Sequence, residues 1–174
     1  MADYLASIIL DDAVDALADF LQPFAAASEI VRAQVNRTPM PMGDCIVLTE
    51  LLSVDLSVPY AEPLAAPVLD HVTATGRQRL DVQVDFYGAA AGDQCRAVMN
   101  AFRTGWGFDS FPASVKPLYI SDGVQSPLVS GEQQWASRWT LTVSLQYNPV
   151  VSLPQQFADA LAPNTVDAAD LKKG

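Results

Sequence analysis

From Leu80 to Tyr87 apolar and polar residues alternate without a slip: Leu80, Val82, Val84 and Phe86 against Asp81, Gln83, Asp85 and Tyr87. A period of two marks a strand with one buried and one wetted face. Gly88 then opens a small-residue turn, and from about Ala91 the period changes. Cys95, Val98, Met99 and Phe102 fall at i, i+3, i+4 and i+7, one helical stripe, while Asp93, Gln94, Arg96, Asn100 and Arg103 take the other side. Both apolar faces need a cover, and folding the helix back on the strand covers both. Arg77–Thr104 is therefore the expected centre of the core.

The remaining elements are read outward from that unit. Asp3–Leu21 is predicted as an amphipathic helix, with Leu10, Val14, Leu17 and Leu21 on one side and Asp11, Asp12, Asp15 and Asp19 on the other. Pro23 is expected to end it. Glu29–Val35 reads as a short strand, and Asn36 to Gly43 as an extended surface segment, because Pro39 and Pro41 cannot both join a central ladder. Exposed Met40 and Met42 would be adhesive there, which points to a partner surface. Cys45–Val58 reads as one long strand, or as two with a bulge near Glu50–Leu52, where the alternation slips. Pro59–Gly76, with Pro59, Pro63 and Pro67, is expected to be a long loop of the functional kind.

After the central helix come Gly105-Trp106-Gly107-Phe108, a strand near Val115–Ile120 and a loop over Ser121–Gly131. Arg138 to Tyr147 alternates cleanly and is stopped by Asn148-Pro149. Pro154 is expected to begin a short helix, Gln155–Leu161. Strands with one polar face and no strict βαβ order predict an α+β fold: a mainly antiparallel sheet with helices packed on one face. The expected organisation is one domain over residues 1–162 and a polar tail over 163–174.

Charge removes whole classes of function. The net charge is −10, which argues against sequence-independent nucleic-acid binding and against an anionic membrane surface. No Lys or Arg precedes Arg32, and no apolar run approaches the roughly 18 residues a bilayer span needs. The expectation is a soluble protein made in a cytoplasm. Cys45 and Cys95 have no metal-like spacing and are expected as buried free thiols, and the sequon Asn36-Arg37-Thr38 is taken as chance.

Catalytic machinery is sought and not found in the sequence. There is no phosphate-binding glycine loop, no G-x-S-x-G and no H-E-x-x-H. His71 is the one histidine. Asp81 and Asp85 share a strand face and are the candidate acid/base pair, with pairing to Arg77 or Arg79 as the structural alternative. No catalytic, metal or cofactor residue is assigned. Trp106 and Trp135 read either as lids on the core or as contact residues.

Three blocks carry a family resemblance: Gln34 to Pro41; Asp81 to Gly88 with Ala91-Gly92-Asp93; and Gly131-Glu132-Gln133-Gln134-Trp135 through Arg138-Trp139 to Leu145-Gln146-Tyr147-Asn148-Pro149. In this order they resemble the neck terminator, or tail-completion, proteins of tailed phages, over roughly residues 29–151. Val35 departs from the family pattern, which commonly has a second polar residue there. The resemblance implies a structural virion protein without an active site. Such a protein forms a ring, usually a hexamer, that caps the tail tube and joins it to the head-side connector. The double-stranded genome passes through the lumen without specific binding.

On that basis Asn36, Arg37, Pro39, Met40, Pro41, Met42, Glu132, Gln133, Gln134 and Trp135 are the expected subunit or tube contacts. Asp55, Glu62 and Asp70, from a span with no basic residue between Arg37 and Arg77, are the expected lumen-facing acids. The other readings are a monomeric peptide-binding module using the Pro/Met segment, and a small enzyme using Asp81, Asp85 or His71.

Overall fold

The structure is a computed structural model that describes residues 8–26, 28–33, 43–63, 71–126, 128–129 and 135–154. The first helix, α1 (Leu10–Ala25), buries Ala13, Val14, Ala16, Leu17, Phe20, Leu21 and Ala25, and leaves Asp11, Asp12, Asp15 and Asp19 exposed. It begins at Leu10, because Ile8 is in a bend and Ile9 is extended (φ −106°, ψ 169°). The Asp12 carboxylate accepts the Ile9 backbone N–H at 2.8 Å and closes the first turn. Pro23 does not end the helix; it lies inside it. A proline this close to a C-terminus removes one backbone bond, and the last turn is held instead by aromatic packing. The rings of Phe20 and Phe24 lie 5.8 and 6.1 Å from that of Trp106.

The sheet has seven strands among the described residues, running β1-β2-β3-β8-β4 with β5 beside β8 and β9 beside β3. These strands are β1 (Glu29–Arg32), β2 (Cys45–Pro63), β3 (His71–Tyr87), β4 (Val115–Ile120), β5 (Val124–Gln125), β8 (Arg138–Tyr147) and β9 (Val150–Pro154). β6 (Leu128–Val129) and β7 (Trp135–Ala136) form a separate antiparallel pair, and β5 and β6 lie within Ser121–Gly131, the stretch expected to be a loop. Among the described residues only β1 pairs in parallel, with β2; the other pairings are antiparallel. α2 (Ala91–Phe102) and the short α3 (Gly105–Asp109) follow β3 directly.

The central unit folds as expected. Leu80, Val82, Val84 and Phe86 of β3 pair in register with Leu145, Val143, Leu141 and Trp139 of β8. That apolar face is covered by α1 and by the Cys95, Val98 and Phe102 side of α2. Gly88 turns the chain between strand and helix at φ +116°, where a Cβ would meet the Asp44 carboxylate.

One further sequence expectation fails for an identifiable reason. Pro59–Gly76 is not a long loop: β2 continues to Pro63 and β3 starts at His71, leaving only 64–70 between them, outside the described residues. Pro59 is accommodated where the β2–β3 register shifts between Ser57 and Tyr60. Gly105-Trp106-Gly107-Phe108 is helical, because the Thr104 hydroxyl caps it by accepting the Gly107 N–H at 3.3 Å. Pro154 ends β9, and the helix expected over Gln155–Leu161 lies outside the described residues. The bulge at Glu50–Leu52 is present as a register shift.

Gly107 packs α3 onto α2 with no room for a side chain. A Cβ there would stand 2.5 Å from the Ala101 carbonyl oxygen and 2.8 Å from the Phe102 Cα. Both neighbours are backbone and cannot rotate away. Gly107→Ala is expected to lower stability by about 1–3 kcal/mol, the usual range for overpacking. Urea unfolding of the purified variant measures it, and an unchanged midpoint would contradict this packing.

Both cysteines are free and buried. Burial pushes the Cys95 thiol up to about 11 from the usual value of 9.0. Below pH ~9 folded and unfolded chains both keep that proton, so the thiol contributes no pH dependence there. Between 9 and about 11 only the folded chain keeps it, and stability falls as pH rises. The denaturation midpoint should therefore drop across this window. Cys95→Ala should show a shallower slope, and equal slopes would exclude this origin.

Candidate interaction surface

Three surfaces carry the chemistry: a polar sheet face, an apolar β-arm and an aromatic cleft. The polar face is the side of the sheet away from the helices. There Asp85 is almost fully buried, with its side chain 4% exposed. Its carboxylate accepts hydrogen bonds from Arg138 Nε at 3.1 Å and Nη2 at 2.9 Å, from Thr140 Oγ1 at 2.5 Å and from Gln83 Nε2 at 2.7 Å. Asp81 accepts from Ser144 Oγ at 2.6 Å and Arg79 Nη2 at 3.1 Å. The hydrogen bonds to Asp85 and the charge of that carboxylate raise the Arg138 pKa.

This network ties β3 to β8 and occupies both carboxylates with donors. It does not leave them as a free acid/base pair. The Arg79 partner of Asp81 is the one read from the sequence; the Arg138 partner of Asp85 is not, since 53 residues separate them. His71 opens β3, opposite Pro154.

The arm is the far half of the β2–β3 hairpin with β9 alongside. Among the residues whose burial is described, the last buried one of β2 is Leu48 and the first of β3 is Leu80. Beyond those points the strands run on clear of the core. Residues 51–63 of β2 alone span about 40 Å as a strand. β9 pairs with His71–Thr75 on one side, and the Gly76 N–H donates to the Pro149 carbonyl at 2.9 Å where β8 hands over to β9. On the other side β1 covers only Cys45–Leu48, so the outer edge of β2 has no strand partner beyond Leu48 among the described residues.

That open strand displays Leu51, Leu52, Val54, Leu56, Val58 and Tyr60, all exposed, with Val58 at 89%. Large apolar side chains concentrated on one segment mark an interaction surface, and an unpaired edge is a template for another chain. The sequence signal was present in the apolar run itself, but reading Pro59 as the end of the strand hid it.

The cleft lies at the opposite edge of the sheet, between α3 and β4. Its volume is about 280 Å³, and Phe108, Pro117, Leu118 and Tyr119 line it beside Arg103. Of its lining, Phe108, Leu118 and Tyr119 are exposed, as is Trp106 on α3. Lys116 Nζ sits 4.7 Å from the centre of the Phe108 ring, and Arg103 Nη2 pairs with Asp122 at 2.8 Å. Trp106 is thus both lid and surface: it packs on Phe20 and remains 53% exposed.

Of the sequence-predicted contacts, Asn36, Arg37, Pro39, Met40, Pro41, Met42, Glu132, Gln133 and Gln134 lie outside the described residues. Trp135 is in β7, opposite Val129. Of the expected lumen acids, Asp55 is on the arm and accepts from Gln78 Nε2 at 3.0 Å. Glu62 is opposite Thr73 near the arm's end, and Asp70 lies outside the described residues.

The family model of the phage neck terminator protein matches residues 11–169, nearly the whole chain and every described element except the residues before 11. The chain belongs to the phage neck terminator protein family. That family is described as one of neck terminators of phages. Among solved structures the chain is similar to the sheath/tube terminator, in its extended state, of an extracellular contractile injection system, PVC. The two share 13% identity at a TM-score of 0.50, over 94% of this chain and 65% of that one. The chain thus spans just under two thirds of that terminator's length, and the likeness is one of fold. No curated protein matches this sequence.

Proposed function

We propose that this neck terminator protein works as a ring, a hexamer, that caps the tail tube and joins it to the head-side connector while DNA passes through the lumen. The observation that carries this reading is the family match over residues 11–169. The arm and the cleft support it, because a ring needs each subunit to offer two different surfaces to its two neighbours. The domain assignment goes with it: residues 1–162 as the terminator domain and 163–174 as a tail. The site is the host cytoplasm during assembly and the virion neck afterwards.

Asp55, Glu62 and Asp70 face the channel in this proposal. Carboxylates there repel the phosphate backbone and let DNA slide, where lysines would hold it. The Asn36–Met42 segment and Glu132–Trp135 make subunit or tube contacts. Met40→Asp combined with Met42→Asp should leave the chain folded and reduce the yield of finished particles, measured by complementation of a phage lacking the protein. Normal yield would count against that assignment.

The decisive experiment is light scattering and negative-stain microscopy of the purified chain, alone and with isolated tail tubes. Rings, free or capping tube ends, are the expected result. A chain that stays monomeric and ignores tubes overturns the ring.

A further inference from the structure

We infer that the β2–β3 arm of one copy docks into the α3–β4 cleft of the next, and that this is the contact which builds the ring; the inference rests on the ring reading above. β2 and β4 are separated by β3 and β8, so the two surfaces stand on opposite edges of one sheet. A chain cannot bring its own arm to its own cleft across that sheet. A second copy can, and a contact between two unlike surfaces is heterologous: it repeats head to tail and closes into a ring when the rotation permits.

The two surfaces are complementary in chemistry. The β2 arm offers Leu52, Val54, Leu56, Val58 and Tyr60, and the cleft offers Phe108, Leu118 and Tyr119. Burying such side chains is what makes a contact stable, with aromatics as its anchors. Charge agrees as well. Between Thr49 and Pro63 β2 carries Glu50, Asp55 and Glu62 and no basic residue, while Lys116, over the Phe108 ring, and Arg103, paired with Asp122, flank the cleft.

Backbone chemistry fixes the manner of docking. The β4 edge is blunted: Pro117 lacks an N–H, and the β4–β8 register shifts between Pro117 and Tyr119. A continuous ladder of the arm on β4 is therefore disfavoured, and side chains make the contact.

Two variants test this, each changing only exposed side chains. Val58→Asp with Tyr60→Asp disables the arm; Leu118→Asp with Tyr119→Asp disables the cleft. Each should stay folded by circular dichroism and raise the concentration needed for ring assembly at least about 30-fold, the loss of one anchor cluster. Val58→Asp alone serves if the doubled arm change disturbs folding. Mixed together, the two variants retain one intact contact per pair, so chemical cross-linking should give dimer from the mixture and monomer from each variant alone. Rings from either variant at the wild-type concentration, or a mixture that gives no dimer, overturn the arm-to-cleft contact and leave the ring standing. A wild-type chain that forms no ring even on tail tubes overturns both.

Discussion

Replacing Phe20 with alanine will lower the stability of the chain by about 3–5 kcal/mol, the cost of removing a large aromatic side chain from a packed core. Phe20 is buried in the middle of α1, with its ring 5.7 Å from Phe24, 5.7 Å from Phe102, 5.8 Å from Trp106 and 5.0 Å from Phe111. Those four rings belong to α1, α2, α3 and the turn before β4. Deleting the central ring leaves a void where these elements meet, and each neighbour loses contacts at once. Urea unfolding measures the loss.

Phe20→Leu separates shape from hydrophobicity: it keeps apolar bulk but no ring, and should recover part of the loss. The effect should also reach the surface. Trp106 is half exposed on the far side of this cluster, so its fluorescence in the folded variant should shift to longer wavelength as it loses its packing partner. A Phe20→Ala chain as stable as the parent would mean that the aromatic cluster is not the junction of the helices.

What the sequence makes legible is local and periodic. The β3 alternation and the α2 stripe each report a single element with one buried face, and both stand where they were read. The bulge at Glu50–Leu52 was legible for the same reason: a slip in the period is itself a signal. What escaped depends on partners distant in the chain. Pro59 reads as a strand breaker locally, yet β3 supplies a register shift that accommodates it, and the arm appears only once β2 and β3 are paired. Pro23 reads as a helix end, yet Phe24 has Trp106 to pack against. The exposed residues of the arm and cleft look like core residues in a sequence, because nothing in a run of Leu, Val and Tyr states whether a layer of helix covers it. The family was legible from three short blocks in order, and that resemblance, not any catalytic pattern, carried the functional reading.

Arg138→Met is expected to cost about 3 kcal/mol or more, because it strands a buried carboxylate without its cation. The asymmetry of the pair makes the prediction specific. The Asp85 side chain is 4% exposed and the Arg138 side chain 25%. Without Asp85, the guanidinium has water within reach and still lies 5.7 Å from the centre of the Tyr87 ring. Without Arg138, the Asp85 carboxylate keeps only Thr140 and Gln83 as side-chain donors. Asp85→Leu should therefore be milder than Arg138→Met, although both remove the same ion pair.

The double variant should be more stable than Arg138→Met alone, since an apolar pair of similar bulk needs no compensating charge. Chemical denaturation of all four proteins completes the cycle. If Asp85→Leu proves the more damaging single change, the carboxylate is organising the β3–β8 face through Thr140 and Gln83 more than through the arginine. If all four are equally stable, the network contributes no net stability and holds register alone. Either way the test bears on the arm, because β3 is the strand that runs from this network, where it pairs with β8, out into the arm, where it pairs with β2 and β9.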